Sequence, residues 1–179
     1  MGKIKIPEDV KLFAAVMVQK EELFSIAEEH LERSLGPVDT KSEVYPFNHT
    51  DYYSNEMGRD LLKRIVSFKE LRSPDNIHRV KITTNNIEKS LAGRVKKKLL
   101  RNVNIDPGYM TLEKVVLLTT KNYDHRIYLA DGIYAEVTLR YRQGTFRPME
   151  WTYPDYRMEA VKGYFNTLRK EYIRQLKGF

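Results

Sequence analysis

Cysteine is absent from the 179 residues, which excludes disulfides and thiolate chemistry and fits a reducing, cytoplasmic setting. Long apolar runs are missing too. The longest near the start, Leu12 to Val18, has seven residues, about a third of the roughly 20 that a membrane helix needs. It is also at the short edge of a signal-peptide core, and Glu21 and Glu22 follow it where a small-residue cleavage site would stand. No membrane partner is expected. Glutamine is scarce, with only Gln19, Gln143 and Gln175; abundant Lys and Glu beside few labile side chains point to a heat-tolerant source.

Several catalytic signatures are likewise absent. There is no His-Glu-x-x-His pair and no Gly-x-Ser-x-Gly elbow. Gly36-Pro37-Val38-Asp39-Thr40-Lys41-Ser42 falls one residue short of a phosphate loop and has Thr40 in place of the second glycine. It also runs from helix to strand, whereas a phosphate loop leads into a helix whose N-terminus faces the phosphate. Lys121-Asn122-Tyr123-Asp124 has the first two residues of a guanine-binding Asn-Lys-x-Asp exchanged, which changes the side chain that reaches the base.

What is present is an ordinary globular balance, 41% hydrophobic and 31% charged, with net charge +7. The excess positive charge favours anionic partners by long-range attraction. The length fits a single domain over residues 1–179. Residues 11–18 read as a buried strand, apolar from Leu12 to Val18 and of strand length. A helix over about 20–35 carries Leu23, Phe24, Ala27, Leu31 and Leu35 on one face and ends at Gly36-Pro37. Residues 39–48 and 61–71 read as strands, and 49–58 as a loop. Ser73-Pro74 is expected to open a helix, with Ser73 as N-cap; Val80 to Thr84 within it also fits a short strand. From residue 99 the apolar period becomes two. Asp131-Gly132 and Gln143-Gly144 mark reversals of an antiparallel meander, and Asp155 is expected to cap a last helix over about 156–176. The fold class is α+β: a mixed or antiparallel sheet with a C-terminal meander and helices packed on it.

Six stretches carry chemistry. Asp106-Pro107-Gly108-Tyr109 reads as a type II turn that presents the Asp106 carboxylate at a strand end. Thr119 to Arg126 gathers hydroxyls with Lys121, His125 and Arg126, a set suited to holding an anion beside a proton-transfer group. Alternation along 133–141 places Tyr134, Glu136, Thr138 and Arg140 on one face, an aromatic platform for a ligand or a partner. His49, Asp51 and Glu56 are the residues a metal would take, but their spacing matches no metal motif and no metal is assigned. Trp151, Tyr153 and Tyr156 suit a core or a pocket wall. Lys89, Arg94, Lys96, Lys97, Lys98 and Arg101 form a basic run that suits nucleic acid.

Asn104-Ile105-Asp106-Pro107-Gly108-Tyr109, His125-Arg126-Ile127-Tyr128-Leu129, Asp131 through Leu139 and Trp151-Thr152-Tyr153-Pro154-Asp155-Tyr156, together with Thr50-Asp51-Tyr52-Tyr53 and Glu56-Met57-Gly58, resemble an uncharacterised prokaryotic family. It is a domain of unknown function of about this whole length, some of whose members are automatically labelled GTP-binding protein. The resemblance implies no established activity, cofactor or catalytic residue.

The leading expectation is a small anionic or phosphorylated ligand. Lys121 and Arg126 would hold the anion, with Asp51, Glu136, Arg140 and Tyr134 as further contacts. Asp106 or His125 would serve as acid or base if there is chemistry. RNA binding through residues 94–101 and a non-catalytic interaction surface are the alternatives. Cofactor and oligomeric state are not legible.

Overall fold

The computed structural model of the chain describes residues 2–50, 52–95 and 98–178. Its strands are β1 (Val10–Val18), β2 (Val38–Lys41), β3 (Tyr45–Phe47), β4 (Leu61–Arg72), β5 (Gly93–Val95), β6 (Lys98–Leu100), β7 (Val103–Met110), β8 (Lys114–Thr119), β9 (Ile127–Ala130), β10 (Ile133–Arg142) and β11 (Thr145–Pro148). The helices are α1 (Leu23–Leu35), the short α2 (Ser54–Met57), α3 (His78–Ser90) and α4 (Glu159–Leu176), with a 3-10 turn at Pro154–Arg157.

One nine-stranded sheet runs in the order β11-β10-β8-β7-β1-β4-β2, with β3 on β4 and β9 on β10. Every pairing in it is antiparallel, so the fold is α+β. β5 and β6 form a separate hairpin.

The apolar run Leu12 to Val18 of β1 follows from its place. It is central, and all nine of its residues are buried, because helices cover both faces of the sheet. Leu12, Ala14, Val16 and Val18 pack with Phe24, Ala27 and Leu31 of α1 and with Val80 and Ile87 of α3. Phe13 and Ala15 turn the other way, towards Val161, Phe165, Leu168 and Tyr172 of α4. Those four recur at spacings of four, three and four, one stripe of a helix.

The reversals at Asp131-Gly132 and Gln143-Gly144 have positive φ at both residues, 50° and 75°, then 51° and 82°. That is the geometry of a tight hairpin whose twist matches its strands.

Three expectations are corrected. Asp106-Pro107-Gly108-Tyr109 makes no turn. It lies inside β7, with Asp106 opposite Ala15, Pro107 opposite Ala14 and Gly108 opposite Phe13 on β1. Proline is tolerated because the N–H and C=O of Ile105 point away from β1, to side chains of α3. Strand alternation puts the Pro107 nitrogen on that same edge, so its missing N–H costs no bond to β1. Next, Ser73 does not cap α3. It accepts from the Asp75 N–H instead, and Asn76 takes φ 58° before the helix starts at His78. Asp155 does not cap α4 either; it is fully buried within the 3-10 turn.

The β10 face also departs from simple alternation. A bulge between Val137 and Leu139 admits Thr138 as an extra residue against β8. Ala135 and Val137 therefore stay with the α1–α3 face, while Leu139 joins the α4 core. Arg140 is carried out to solvent and off the Glu136 face.

Gly108 marks the last close contact between β7 and β8. A Cβ there would lie 2.3 Å from the Val116 carbonyl oxygen and 2.4 Å from Phe13 Cζ. Gly108→Ala is expected to cost about 1–3 kcal/mol through overpacking, read as a lower urea midpoint.

Candidate functional site

β7 and β8 pair only at Gly108–Leu117, Tyr109–Val116 and Met110–Val115. Towards the start of β7 and the end of β8 the two strands part, and the sheet opens. Side chains from α3 take over the freed edge of β7: Ile105 N–H donates to Glu88 Oε1 at 2.7 Å, and Lys81 Nζ donates to the Ile105 carbonyl at 2.8 Å. The gap is a cleft of about 480 Å³, within the range of small-molecule sites.

Charged groups line this cleft in pairs. Lys63 Nζ lies 2.6 Å from Asp155 Oδ2, with the two side chains 6% and 1% exposed. Lys81 Nζ lies 3.5 Å from Asp106 Oδ1. Arg126 Nε donates to Glu136 Oε2 at 2.6 Å, with exposures of 3% and 1%. The rest of Arg126 is also engaged: Nη1 donates to the Lys121 carbonyl at 3.0 Å and Nη2 to the Tyr153 hydroxyl at 2.9 Å. Three of the five guanidinium N–H groups are thus committed within the chain. Burial works against its charge, but the Glu136 hydrogen bond and charge outweigh it and raise its pKa.

Asp106 is held ionised. Burial pushes its carboxyl up, but the charges of Lys81 and Lys63 and the Asn104 Nδ2 donor, at 2.8 Å, prevail and lower its pKa. Glu88 goes the other way: burial raises it, against the pull of Lys81 and the Ile105 N–H. The signs fix the acid response. Asp106 contributes stability above the ordinary aspartate value, about 3.9, and that contribution is lost as pH falls through its own lower folded value. Glu88 contributes a penalty that grows as pH rises above the ordinary glutamate value. Asp106→Asn should therefore flatten the loss of stability below about pH 4, measured by denaturant unfolding across pH.

His125 sits behind the cleft wall. Nε2 is 3.1 Å from Glu136 Oε2 and Nδ1 is 3.1 Å from Asp124 Oδ1. The ring is sandwiched between Trp151 at 5.1 Å and Tyr123 at 6.0 Å. Trp151 is anchored in turn by its indole N–H on the Val137 carbonyl, at 2.9 Å. At the mouth, Lys121 Nζ lies over the Tyr52 ring, 4.1 Å from its centroid, and ties the segment after β8 to Tyr52.

The fold thus brings Asp106, Lys121, Arg126 and Glu136 to one cleft, with His125 bonded to Glu136. Two expected residues stay away. Tyr134 packs edge-on to Tyr128 at 5.4 Å, and Arg140 is exposed elsewhere; neither lines the cleft. Asp51 lies outside the described residues. His49 lines the cleft and Glu56 faces Arg101 at 3.5 Å, but among the described residues no group of three His, Asp or Glu could hold a metal ion. Lys96 and Lys97 of the basic run also lie outside the described residues. Arg101 turns inward, to Glu56 and Glu88.

Sequence reasoning missed Lys63, Lys81, Glu88 and Asp155. A signal existed for two of them. Lys63 stands between buried Leu61 and Ile65 on the inward register of β4, and Lys81 falls on the buried stripe of α3 with Val80, Thr84 and Ile87. A lysine on a core-facing position needs a buried partner.

Among the described residues no helix is long and apolar enough to cross a membrane. No curated protein matches the sequence. One family model does, over residues 8–172, and the chain therefore belongs to the family described as Domain of unknown function (DUF4416).

Proposed function

We propose that this protein binds a small anionic molecule in the cleft between β7 and β8, in the cytoplasm. The observation that carries this is the parting of the two strands. It opens about 480 Å³ in the middle of a sheet and lines it with charged and aromatic side chains from separate elements. Such an opening weakens the ladder, and the ion pairs that fill it cost desolvation.

Lys121 is the anion anchor. It is exposed at the mouth, and no carboxylate pairs with it among the described residues. Arg126 also lines the cleft, and the ring of Tyr123 covers its guanidinium at 4.6 Å. Tyr52 and Tyr123, both exposed at the rim, suit the flat or apolar part of a ligand. The size of the cleft, about 480 Å³, suits a small molecule, and the turn of Arg101 towards Glu56 and Glu88 withdraws one cation from the basic run. Glu136 and Thr138 are buried, which leaves little of the β10 face for a protein partner.

Trp151 is the one tryptophan and stacks on the His125 that Glu136 holds, so its emission reports on this wall. Titration with inorganic phosphate, a hexose monophosphate and a nucleoside monophosphate should give a saturable change with at least one of them. Lys121→Glu should abolish it. Flat titrations with all three, or an unchanged response in Lys121→Glu, would count against the proposal.

A further inference from the structure

The buried part of the cleft lining differs in chemistry from the exposed part at Lys121. Asp155 and Tyr156 both line the cleft and are 0% and 1% exposed. Asp155 Oδ2 is taken by Lys63 at 2.6 Å and faces the Tyr45 hydroxyl at 3.4 Å. Its other oxygen, Oδ1, is buried and has no hydrogen-bond partner among the described residues, and neither has the Tyr156 hydroxyl. Two adjacent residues in the lining of a polar cleft thus hold a spare acceptor and a spare donor-acceptor. Buried polar atoms are nearly always bonded, and leaving one unbonded costs about 1–3 kcal/mol.

The charges there say what would complete them. Lys63 already neutralises Asp155, and its ammonium lies 4.9 Å and 5.3 Å from the ring centres of Phe47 and Tyr156. A second cation would be placed beside Lys63. A second anion would meet Asp155, and Asp106, which is held ionised nearby. The group that fits is neutral and both donates and accepts. A hydroxyl donates to Asp155 Oδ1 and exchanges a hydrogen bond with the Tyr156 hydroxyl, whose proton is retained because burial, and then Asp155, raise its pKa well above the ordinary value.

We infer that the ligand is a polyhydroxylated molecule with a single anionic group, a sugar phosphate in size and chemistry, with its hydroxyls against Asp155 and Tyr156 and its anionic group at Lys121. This rests on the reading of the cleft as an anion site and adds the class and the orientation.

The experiment uses two probes of equal charge: a hexose monophosphate and hexyl phosphate, which has the anion and the carbon count but no hydroxyls. Inorganic phosphate serves as the anion alone. The full chain should bind the hexose monophosphate about tenfold or more tighter than hexyl phosphate, the worth of one or two satisfied buried groups. Tyr156→Phe, which keeps the ring, should shrink that ratio towards one, and Asp155→Asn should shrink it independently. Equal affinity for the two phosphates in the unaltered protein overturns the hydroxyl inference and leaves the anion site standing. A preference that survives both substitutions overturns the assignment to Asp155 and Tyr156. Failure of all three probes to bind removes the anion site, and this inference with it.

Discussion

Glu136→Ala is expected to cost about 3–5 kcal/mol of folding stability, the loss typical of breaking a buried ion pair from one side. Its carboxylate is almost wholly buried and accepts from Arg126 at 2.6 Å, while His125 lies 3.1 Å away. Removing it strands a guanidinium that is 3% exposed and frees a stacked imidazole. Because Arg126 also holds the Lys121 carbonyl and the Tyr153 hydroxyl, the damage should spread to the cleft mouth. The change in Trp151 emission on unfolding would then lose amplitude, as the folded wall is already loosened. The paired substitution Arg126→Met with Glu136→Leu should recover much of the stability, since it leaves no stranded charge. Urea unfolding of the two variants beside the unaltered protein decides it. A single-variant loss within about 0.5 kcal/mol, the scale of a solvent-exposed pair, would contradict this account of the wall.

Lys63→Met is the second large effect, again about 3–5 kcal/mol at neutral pH. Here the stranded group is Asp155, whose side chain is 1% exposed and would keep only the Tyr45 hydroxyl at 3.4 Å. Adding Asp155→Leu, which removes the stranded charge, should recover much of the stability. Urea unfolding of both variants separates the cases; a double variant as unstable as Lys63→Met would mean that lost packing against Phe47 and Tyr156, and not charge, is responsible.

The elements with strong local signals were legible. β1 announced itself by composition, α4 by its stripe, and the two hairpins by Asp131-Gly132 and Gln143-Gly144, where local chemistry and tertiary need agree. Asp106-Pro107-Gly108-Tyr109 was misread because its turn chemistry is real but is used otherwise: Pro107 ends pairing on one edge, and Gly108 admits the neighbouring strand. The β10 bulge was invisible because alternation assumes that no residue is extra. Asp106, Lys121, Arg126 and Glu136 were legible as chemistry, since charged side chains stand out against the apolar residues of the strands around them. That they share one cleft depends on where β7 and β8 separate, a long-range fact. Asp155 was missed because an aspartate just before a helix has a sufficient local explanation as a cap, and only the fold shows Lys63 occupying it.

The central claim, that the parted strands hold a small anion, is tested most directly by native mass spectrometry of the gently purified full chain, before and after addition of the hexose monophosphate. The expected spectrum shows added mass equal to one small molecule per chain, either carried through purification or acquired on addition, and bare chain for Lys121→Glu. Bare chain throughout, or identical adducts on Lys121→Glu, would contradict the claim.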